Sequence, residues 1–594
     1  MGEQLLGLKR TMMCGEARET HVGQNVTFMG WVQRKRNLGF LVFLDLRDRT
    51  GIVQVVFGEE INKEAFEKAD NVKSEYCVAV TGKLVLRESP NTSLPTGLVE
   101  LKAEEIKILS ESETPPIYIK ENLDAAENIR LKYRYLDLRR PDMQRNLILR
   151  HKTTKIVRDF LDEQGFLEME TPMLTKSTPE GARDYLVPSR NYKGRFYALP
   201  QSPQIFKQLL MVSGYDRYFQ IVKCFRDEDL RANRQPEFTQ IDLEMSFVEE
   251  NDVISVNEQL IKKIFKEIVN YDVQLPIERM PYSEAMDRFG SDKPDLRFGM
   301  EIQNLSEVVV GSEFVPFKNA LEDHGSVRCI VAPNSATMGR KQIDKLVDFV
   351  KTYRAKGLAW IAVKEDEVKS SVDKFFSKEE LQKIIDKAHA KIGDLILIVA
   401  DKDEVVLQSL GALRLEMAKK LEILKDNKEF RFVWITDFPL FEYDEEENRY
   451  VAKHHPFTSA KDEDLQYLES DPSRVRAKAY DIVLNGEEIG GGSIRIHDSE
   501  IQERMFKALG FTKESAWERF GFLLEAFKFG PPPHGGMAYG LDRLIMFLAN
   551  TDNIKDVIAF PKNQNAFCPM SEAPNVVDDK QLKELGIARE NIEE

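Results

Sequence analysis

The N-terminal part of the chain contains short segments in which apolar and polar residues alternate, a pattern typical of strands with one buried face. Five such segments occupy residues 26–32, 39–46, 52–57, 76–86 and 98–108. Asp48-Arg49-Thr50-Gly51, between the second and third, has the composition of a turn. Five short strands in one region predict a small barrel, with an OB-fold as the leading candidate for residues 1–110.

Helical spacing replaces alternation after a linker. Pro115-Pro116 lies in a predicted hinge at 111–135. Residues 143–164 carry apolar side chains at the spacing of one helix face, and Gly165 is the expected C-terminal stop. Residues 166–172 then predict a short strand that ends at a proline.

A charged stretch separates two apolar, strand-like runs at 218–222 and 241–247. It begins Phe225-Arg226-Asp227-Glu228, and continuation of the first strand would place Arg226 and Glu228 on one face. A forked guanidinium beside a carboxylate suits a ligand that is part anion and part donor, such as ATP. Surface ion pairs on a hairpin would explain the same charges. They would not explain a second cluster, Gly540-Leu541-Asp542-Arg543.

The pattern changes again near residue 287. Residues 287–418 alternate strands with helices and carry no cluster of arginine, glutamate and glycine, which predicts an inserted α+β domain. The strand pattern resumes at 431–435. The candidate catalytic residues therefore fall in one split domain, with parts at 136–286 and 419–565, before a C-terminal extension at 566–594.

Composition narrows the class of protein. A chain of 594 residues with 42% hydrophobic residues is expected to form several globular domains. Its longest apolar runs are too short to span a bilayer, and residues 1–5 do not resemble a secretion signal, so no membrane partner is expected. Five scattered cysteines without a Cys-x-x-Cys pair favour a reducing, cytoplasmic environment.

Net charge alone disfavours a nucleic-acid partner. The formal charge is −15, which repels a polyanion at long range. Local patches decide contact, however, and residues 34–36 and 130–150 are both rich in arginine and lysine. Phe40, Phe43 and Phe57 are each interpreted as core residues of the barrel when considered singly, although exposed aromatics there would stack bases.

Taken together, these segments resemble the class II aminoacyl-tRNA synthetases, specifically the bacterial-type aspartyl branch. Residues 166–172 are similar to motif 1, which builds the dimer interface in that family. Residues 225–242 are similar to motif 2 and residues 536–544 to motif 3. Residues 178–184 and 201–207 narrow the resemblance to the aspartyl branch, and the inserted domain is typical of its bacterial members.

The resemblance implies a multidomain α+β protein. Its parts would be an N-terminal OB-fold β-barrel for the anticodon, a catalytic domain on an antiparallel sheet of six or seven strands, and the inserted domain. The absence of Gly-x-Gly-x-x-Gly and Gly-Lys-Ser/Thr loops agrees with this.

The implied activity is a two-step ligation. L-Aspartate and ATP would form aspartyl-adenylate and pyrophosphate, and aspartate would pass to the 3′-terminal adenosine of tRNA(Asp). The enzyme would be a homodimer that uses Mg²⁺. The alternatives are an asparaginyl-type relative or a non-discriminating enzyme that also charges tRNA(Asn). A lysyl-type relative would need acidic groups in place of Arg495 and Lys207. A non-catalytic RNA-binding paralogue would be expected to lose Arg226, Glu228, Arg495 or Arg543.

The resemblance also implies roles for single residues. Arg226 would hold the α-phosphate and Arg543 the γ-phosphate, as the two catalytic residues. Asp481 and Glu488 would share Mg²⁺. The nucleotide site would comprise Arg226, Asp227, Glu228, Gln235, Glu488, Gly540, Leu541, Asp542 and Arg543.

The aspartate pocket is expected to combine cations with orienting polar groups. Its members would be Glu180, Gln204, Lys207, Arg226, Asp242, His454 and Arg495. Of two adjacent histidines, His454 is placed on the substrate side and His455 is the second choice. Because histidine ordinarily titrates near neutrality, His454→Gln is expected to weaken aspartate activation near pH 6.

Anticodon contacts are expected in the barrel. By resemblance Phe43 would stack on a base, and Gln54 and Glu100 would read base edges. Leu38 matches enzymes that charge only tRNA(Asp), whereas enzymes that also charge tRNA(Asn) often have histidine there.

Overall fold

The computed structural model describes residues 2–178, 182–230 and 233–588. They divide into two compact units, each built from separate stretches of chain. The first consists of Met1–Thr153, Glu228–Pro236 and Ile545–Glu594, and the second of Thr154–Asp227 and Glu237–Leu544. Within the described ranges, no helix has the length and apolar character that a bilayer crossing requires.

The first unit contains the predicted five-stranded closed barrel, with strand order β1-β2-β3-β5-β4. Strands β3 and β5 are parallel and the other neighbours antiparallel. A helix that the sequence pattern did not predict follows β3, and Asn62 caps it by accepting from the Ala65 amide. The elements are β1 (Asn25–Asn37), β2 (Leu41–Asp48), β3 (Gly51–Gly58), α1 (Lys63–Asn71), β4 (Cys77–Leu86) and β5 (Val99–Ser110).

Alternation explains why these segments close into a barrel. Val42, Leu44 and Leu46 of β2 are buried, and the residues between them are only half-buried. The register of β4 and β5 shifts at Gly82, where a Cβ atom would lie 2.1 Å from the carbonyl oxygen of Lys102. Glycine there permits the close approach of the two backbones.

The basic run at 130–150 forms internal ion pairs. Asp137 is fully buried and accepts from Arg130 Nε at 3.0 Å, Arg134 Nη1 at 2.6 Å and Arg140 Nη1 at 2.8 Å. Arg139 pairs with Glu75. These arginines lie in or beside α2 (Glu127–Lys132), α3 (Arg134–Asp137) and α4 (Pro141–Glu163). The interpretation of this run as a free basic patch is therefore wrong for its buried members.

The same cluster fixes the C-terminal part of the first unit. Arg134 donates from Nη2 to the Ile558 carbonyl at 2.8 Å and from Nε to the Ala559 carbonyl at 2.9 Å. Arg130 pairs with Asp556 at 2.9 Å. Residues 556–559 are thus held by the arginines that surround Asp137.

The second unit is organised around an eight-stranded sheet of order β11-β17-β20-β21-β22-β10-β9-β6. Its six central strands are antiparallel, and each edge strand is parallel to its neighbour. The first elements are β6 (Leu167–Glu168), β7 (Leu186–Pro188), β8 (Phe196–Ala198), α5 (Gln204–Val212), β9 (Arg217–Phe225), β10 (Glu237–Ser246), α6 (Glu250–Val269), β11 (Arg279–Pro281) and α7 (Tyr282–Phe289).

The predicted insertion folds around its own five-stranded antiparallel sheet. Ile396 and Ile398 pack in one apolar cluster and Leu397 and Val399 in another, so both sheet faces are covered. Its elements are β12 (Gln303–Asn304), α8 (Ser306–Val309), α9 (Val315–Glu322), β13 (Ser326–Ala332), α10 (Arg340–Lys351), β14 (Ala359–Val363), β15 (Val368–Ser370), α11 (Lys378–Lys387), β16 (Leu395–Asp401) and α12 (Asp403–Lys420).

The remaining strands complete the eight-stranded sheet. They and the last helices are β17 (Phe432–Thr436), β18 (Phe441–Asp444), β19 (Arg449–Ala452), β20 (Ala479–Leu484), β21 (Glu487–Ile494), α13 (Ser499–Ala508), α14 (Lys513–Ala526), β22 (His534–Gly540), α15 (Leu541–Ala549) and α16 (Asp579–Leu585). Short 3₁₀ helices lie at Cys14–Glu16, Glu19–His21, Asp373–Phe375, Asp462–Tyr467, Pro472–Arg474, Phe527–Phe529 and Ile554–Asp556.

Two local predictions differ from the structure. Strand β9 ends at Phe225, so strand alternation does not extend to Arg226 and Glu228. The strand predicted at 166–172 is hydrogen-bonded as a strand only at Leu167–Glu168. The predicted helix at 143–164 is present as α4, and Gly165 follows it with φ +78°.

Asp137→Asn should lower the free energy of unfolding of the first unit by about 3 kcal/mol, because buried guanidinium groups would lose their counter-charge. Scanning calorimetry of the full chain would measure this as a lower first transition. Glu59→Gln, in the same unit, is the matched control, since its ion pair with Lys63 is exposed. Equal decreases in the transition temperatures of the two variants would contradict the stabilising role assigned to Asp137.

Candidate active site

A cleft of about 380 Å³ is lined by one row of cross-strand neighbours in the eight-stranded sheet. Asp242 is opposite Ala538, Ala538 is opposite Gly491, and Gly491 is opposite Asp481. Directly paired residues share a sheet face, so both carboxylates point to the same side. The lining also includes Arg226.

Two glycines in these strands leave space for the carboxylate side chains of neighbouring strands. A Cβ atom on Gly491 would lie 2.2 Å from Asp481 Oδ1. A Cβ atom on Gly536 would lie 2.0 Å from Glu244 Oε2. Side chains at these two positions would displace the carboxylates, which explains locally why the strands are rich in glycine.

Four buried charges form a compact network at the cleft, and three of them, Lys207, Asp242 and Arg495, line it. Lys207 Nζ, on α5, lies 2.6 Å from Asp242 Oδ1 and 3.3 Å from Glu244 Oε2. Arg495 donates two hydrogen bonds to the same Glu244, from Nε to Oε1 at 2.9 Å and from Nη2 to Oε2 at 3.2 Å. All four side chains are at most 3% exposed. Glu244 therefore holds both cations in place.

His455, the second choice from the sequence, is the histidine that touches Arg495. Its Nε2 lies 2.7 Å from Arg495 Nη1. Because a guanidinium only donates, Nε2 must accept, which requires a neutral imidazole. Burial and then the charge of Arg495 keep the pKa of His455 well below its ordinary value, in agreement with that state.

Several polar groups in the cleft are left without partners. Gln204 Nε2, Asp242 Oδ2 and His454 Nδ1 are buried and make no hydrogen bond within the described ranges. In the same ranges, contacts occupy four of the five N–H groups of Arg495 and two of the three on Lys207. The cleft thus offers N–H donors beside an unsatisfied carboxylate oxygen, a set that suits a ligand with opposite charges.

The pKa values of Asp242 and Glu244 are shifted in opposite directions. Desolvation raises the pKa of Asp242, despite the nearby charge of Lys207. Burial also opposes ionisation of Glu244, but the charges of Arg495 and Lys207 outweigh it and lower the pKa of Glu244. Glu244 is consequently the fixed anion of the network.

The expected titration of His454 near pH 6 is wrong for this site. Burial, followed by the charge of Lys453, lowers the pKa of His454 to about 4. The ring packs edge-on against Phe438 with centroids 4.9 Å apart. His454 lines the cleft as a neutral side chain at physiological pH.

The predicted nucleotide residues of the second unit lie around the ends of strands. The Arg226 guanidinium stacks over Phe238 at 5.4 Å. Gly540 ends β22 and Leu541 begins α15, while Asp542 Oδ2 accepts from the Thr239 amide at 2.8 Å. Arg543 Nη1 donates to the carbonyl of Glu488.

Asp227, Glu228 and Gln235, which are also predicted to bind the nucleotide, contact other parts of the chain. Asp227 forms an isolated β-bridge with Arg183. In the first unit, Glu228 pairs with Arg234 at 2.6 Å, and Gln235 exchanges two hydrogen bonds with the backbone of Lys562. Glu180 lies outside the described residues.

The predicted metal ligands, Asp481 and Glu488, line the same cleft. Burial and the neighbouring charge of Glu488 raise the pKa of Asp481 well above its ordinary value. No cluster of three or more metal-binding side chains occurs in the described part of the chain. Mg²⁺ in nucleotide sites needs only one or two carboxylates besides phosphate oxygens, so this pair fits it.

The predicted anticodon residues are brought together on adjacent strands of the barrel. Arg36 lies over the Phe43 ring at 5.5 Å and donates from Nη2 to Gln54 Oε1 at 2.7 Å. Gln54 Nε2 donates to Glu100 Oε2 at 2.5 Å. Leu38 is 66% exposed in the turn between β1 and β2.

The aromatic residues of the barrel divide by position. Phe57 is buried, as interpreted from the sequence, and Phe43 is half-buried. Phe40 is 73% exposed, so its interpretation as a core residue is wrong.

Sequence reasoning missed Glu244, the centre of the charge network. Its strand position gave a signal, because Glu244 is two residues from Asp242 and therefore faces the same side. Arg36 was noted only as part of a basic segment, yet it joins the predicted anticodon residues.

Two protein families match this chain, one over most of its length and one over the N-terminal barrel. The family described as tRNA synthetases class II (D, K and N) matches residues 126–564. The family described as OB-fold nucleic acid binding domain matches residues 26–109.

Full-length relatives are highly similar. Aspartate–tRNA ligase of Clostridium acetobutylicum is 76% identical over 594 residues and is covered completely, as is this chain. Aspartate–tRNA ligase of Clostridium novyi is 76% identical over 587 residues, with 99% of each chain covered.

Solved structures show the same fold at low identity. Asparaginyl-tRNA synthetase from Pyrococcus horikoshii, complexed with asparaginyl-adenylate, has a TM-score of 0.58 and 18% identity, covering 93% of this chain and 98% of that one. Aspartyl tRNA synthetase from Entamoeba histolytica has a TM-score of 0.57 and 20% identity, covering 94% and 92%. The chain therefore belongs to the class II tRNA synthetases of the D, K and N group, among the aspartate–tRNA ligases.

Proposed function

We propose that the protein is an ATP-dependent aspartate–tRNA ligase. It joins L-aspartate to AMP with release of pyrophosphate and then transfers aspartate to the 3′-terminal adenosine of tRNA(Asp). The observation that carries this proposal is the buried Lys207–Glu244–Arg495 network, with the unpaired Asp242 Oδ2 beside it.

The network suits aspartate better than asparagine. The side-chain carboxylate would accept from the remaining N–H groups of Arg495 and Lys207, and the ammonium group would donate to Asp242 Oδ2. An asparagine amide would turn its NH₂ group toward at least one N–H donor, leaving that donor unsatisfied. Gln204, whose Nε2 is unpaired, would orient the bound amino acid.

The chemistry needs no covalent nucleophile from the protein. An oxygen of the aspartate α-carboxylate attacks the α-phosphorus of ATP, and the bond to the bridging oxygen breaks as pyrophosphate leaves. Arg226 would neutralise charge at the α-phosphate and Arg543 would hold the γ-phosphate. In the second step, a ribose hydroxyl oxygen of the tRNA attacks the aspartyl carbonyl carbon and AMP leaves.

Asp481 and Glu488 would hold Mg²⁺ together with phosphate oxygens. When bound, the ion would supply neutralising charge to the phosphates. Glu228 and Gln235 would contact the adenosine part, in keeping with the family resemblance. Glu180 would close over the amino acid by the same resemblance.

Anticodon recognition would use the face of the barrel that carries Phe43, Gln54 and Glu100. Phe43 offers a half-buried ring for stacking, and the amide and carboxylate are already linked to Arg36. Leu38 is exposed and would face tRNA(Asp) without a polar group of its own. Restriction to tRNA(Asp) is part of this proposal.

We also propose a cytoplasmic homodimer. The edge strand β6 leaves Leu167 half-exposed, and Leu174 is 53% exposed nearby in sequence. Such apolar side chains at a sheet edge suit a subunit interface. The five cysteines are unpaired, which suits a reducing compartment.

Pyrophosphate exchange into ATP tests the first step directly. We expect exchange that depends on aspartate and that asparagine does not support at equal concentration. RNA binding without aspartate-dependent exchange would instead indicate a non-catalytic RNA-binding protein. Charging of purified tRNA(Asp) and tRNA(Asn) completes the test, and substantial tRNA(Asn) charging would overturn the proposed restriction.

Glu244→Gln should raise the KM for aspartate by about tenfold, because Lys207 and Arg495 lose the charge that orients them. The KM for ATP should change little. Both constants come from the exchange assay, with circular dichroism as a check on folding. Glu469→Gln removes a similar bidentate contact, to Arg504, outside the cleft and should leave both constants unchanged.

His454→Gln should change the KM for aspartate by the same factor at pH 6 and pH 8, since a histidine with a pKa of about 4 is neutral at both. In the unfolded state His454 has its ordinary pKa of 6.5, so its ring binds a proton more readily there than in the folded state. His454 therefore contributes to a loss of stability as pH falls from about 6.5 towards 4. A KM ratio that grows between pH 8 and pH 6 would show a protonated His454 in the working enzyme.

A further inference from the structure

Lys293 is a cation in the cleft to which the sequence assigned no role. It lies in the segment between α7 and β12, where the chain enters the inserted domain. Its Nζ lies 2.9 Å from Glu488 Oε2, an oxygen of a proposed metal ligand. The ammonium group thus uses a carboxylate oxygen that Glu488 would otherwise offer to a metal ion.

The backbone beside Lys293 is fixed to the last helix of the insertion. Arg414, on α12, donates from Nη2 to the carbonyls of Asp295 at 2.8 Å and Phe298 at 2.7 Å. Gly290 has φ +65°, and a Cβ atom there would lie 2.1 Å from the Leu407 carbonyl. The inserted domain thereby positions the residue that reaches Glu488.

The ion pair of Lys293 with Glu488 is only partly buried. Lys293 is 40% exposed and Glu488 33% exposed, so the ion pair is open to water. A half-exposed pair exchanges partners at little cost. Arg226 and Asp481 line the same cleft, which would also receive the phosphates.

We propose that Lys293 competes with Mg²⁺ for Oε2 of Glu488. With Mg²⁺ held by Glu488 and ATP bound, the ammonium group would turn from that oxygen to a phosphate oxygen. This inference rests on the proposed Asp481–Glu488 metal pair. It makes Lys293 a nucleotide-binding residue and gives the inserted domain a direct part in nucleotide binding.

Binding of Mn²⁺ to the full-length, ATP-free protein tests the exchange of cations. Lys293→Met should tighten Mn²⁺ binding about fivefold, because the competing ammonium is gone. Lys293→Arg keeps a cation and should bind Mn²⁺ like the unmodified protein. The KM for ATP should rise in Lys293→Met. Lys478→Met is the control, since Lys478 pairs with Asp462 at 2.8 Å and does not line the cleft.

Two further variants separate this inference from the proposal beneath it. If Asp481→Asn and Glu488→Gln weaken Mn²⁺ binding but Lys293→Met leaves it unchanged, the role of Lys293 is overturned and the metal pair stands. If neither acidic variant affects Mn²⁺ binding, with or without a non-hydrolysable ATP analogue, both are overturned. Lys293→Gln repeats the test with a polar side chain, so a folding defect in Lys293→Met does not decide the result.

Discussion

A carboxylate with no exposed surface has to be neutralised inside the protein, and Glu244 meets this constraint with two cations at once. The rest of the cleft depends on that arrangement. Residue 536 must leave room for the carboxylate, Arg495 is turned so that its Nη1 meets His455, and Lys207 is drawn against Asp242. The donors that face a substrate are thus oriented before it arrives, which reduces the cost of binding.

Pairing of buried charges also explains why the number of basic residues in a segment does not show how much positive charge is exposed. The arginine-rich run at 130–150 suggested a nucleic-acid surface, yet three of its arginines converge on Asp137. In the barrel two arginines, Arg36 and Arg87, donate to Gln54 of the predicted anticodon residues. A protein of net charge −15 can therefore present a local RNA-binding face without a large basic patch, because position matters more than the total.

Periodicity predicted the barrel strands and the insertion, since each is decided by neighbours close in sequence. The site residues came from the family motifs, and eight of them line one cleft: Gln204, Lys207, Arg226, Asp242, His454, Asp481, Glu488 and Arg495. Strand alternation placed Glu244 on the same side as Asp242, but its partner Arg495 is 251 residues away, so no local pattern in the sequence indicates that contact. The shared face inferred for Arg226 and Glu228 failed because β9 ends at Phe225. The pKa of His454 depends on burial, which only the folded chain reveals.

The pairing of β10 with β22 has a consequence for how the protein is made. Asp242 faces Ala538 in that ladder, with the whole insertion between them in the chain. During synthesis from the N-terminus, β10 leaves the ribosome long before its partner strand exists. The insertion has its own core, but the catalytic sheet keeps an open hydrogen-bonding edge until β22 is made. Chains that stop early would expose that edge and be prone to aggregation.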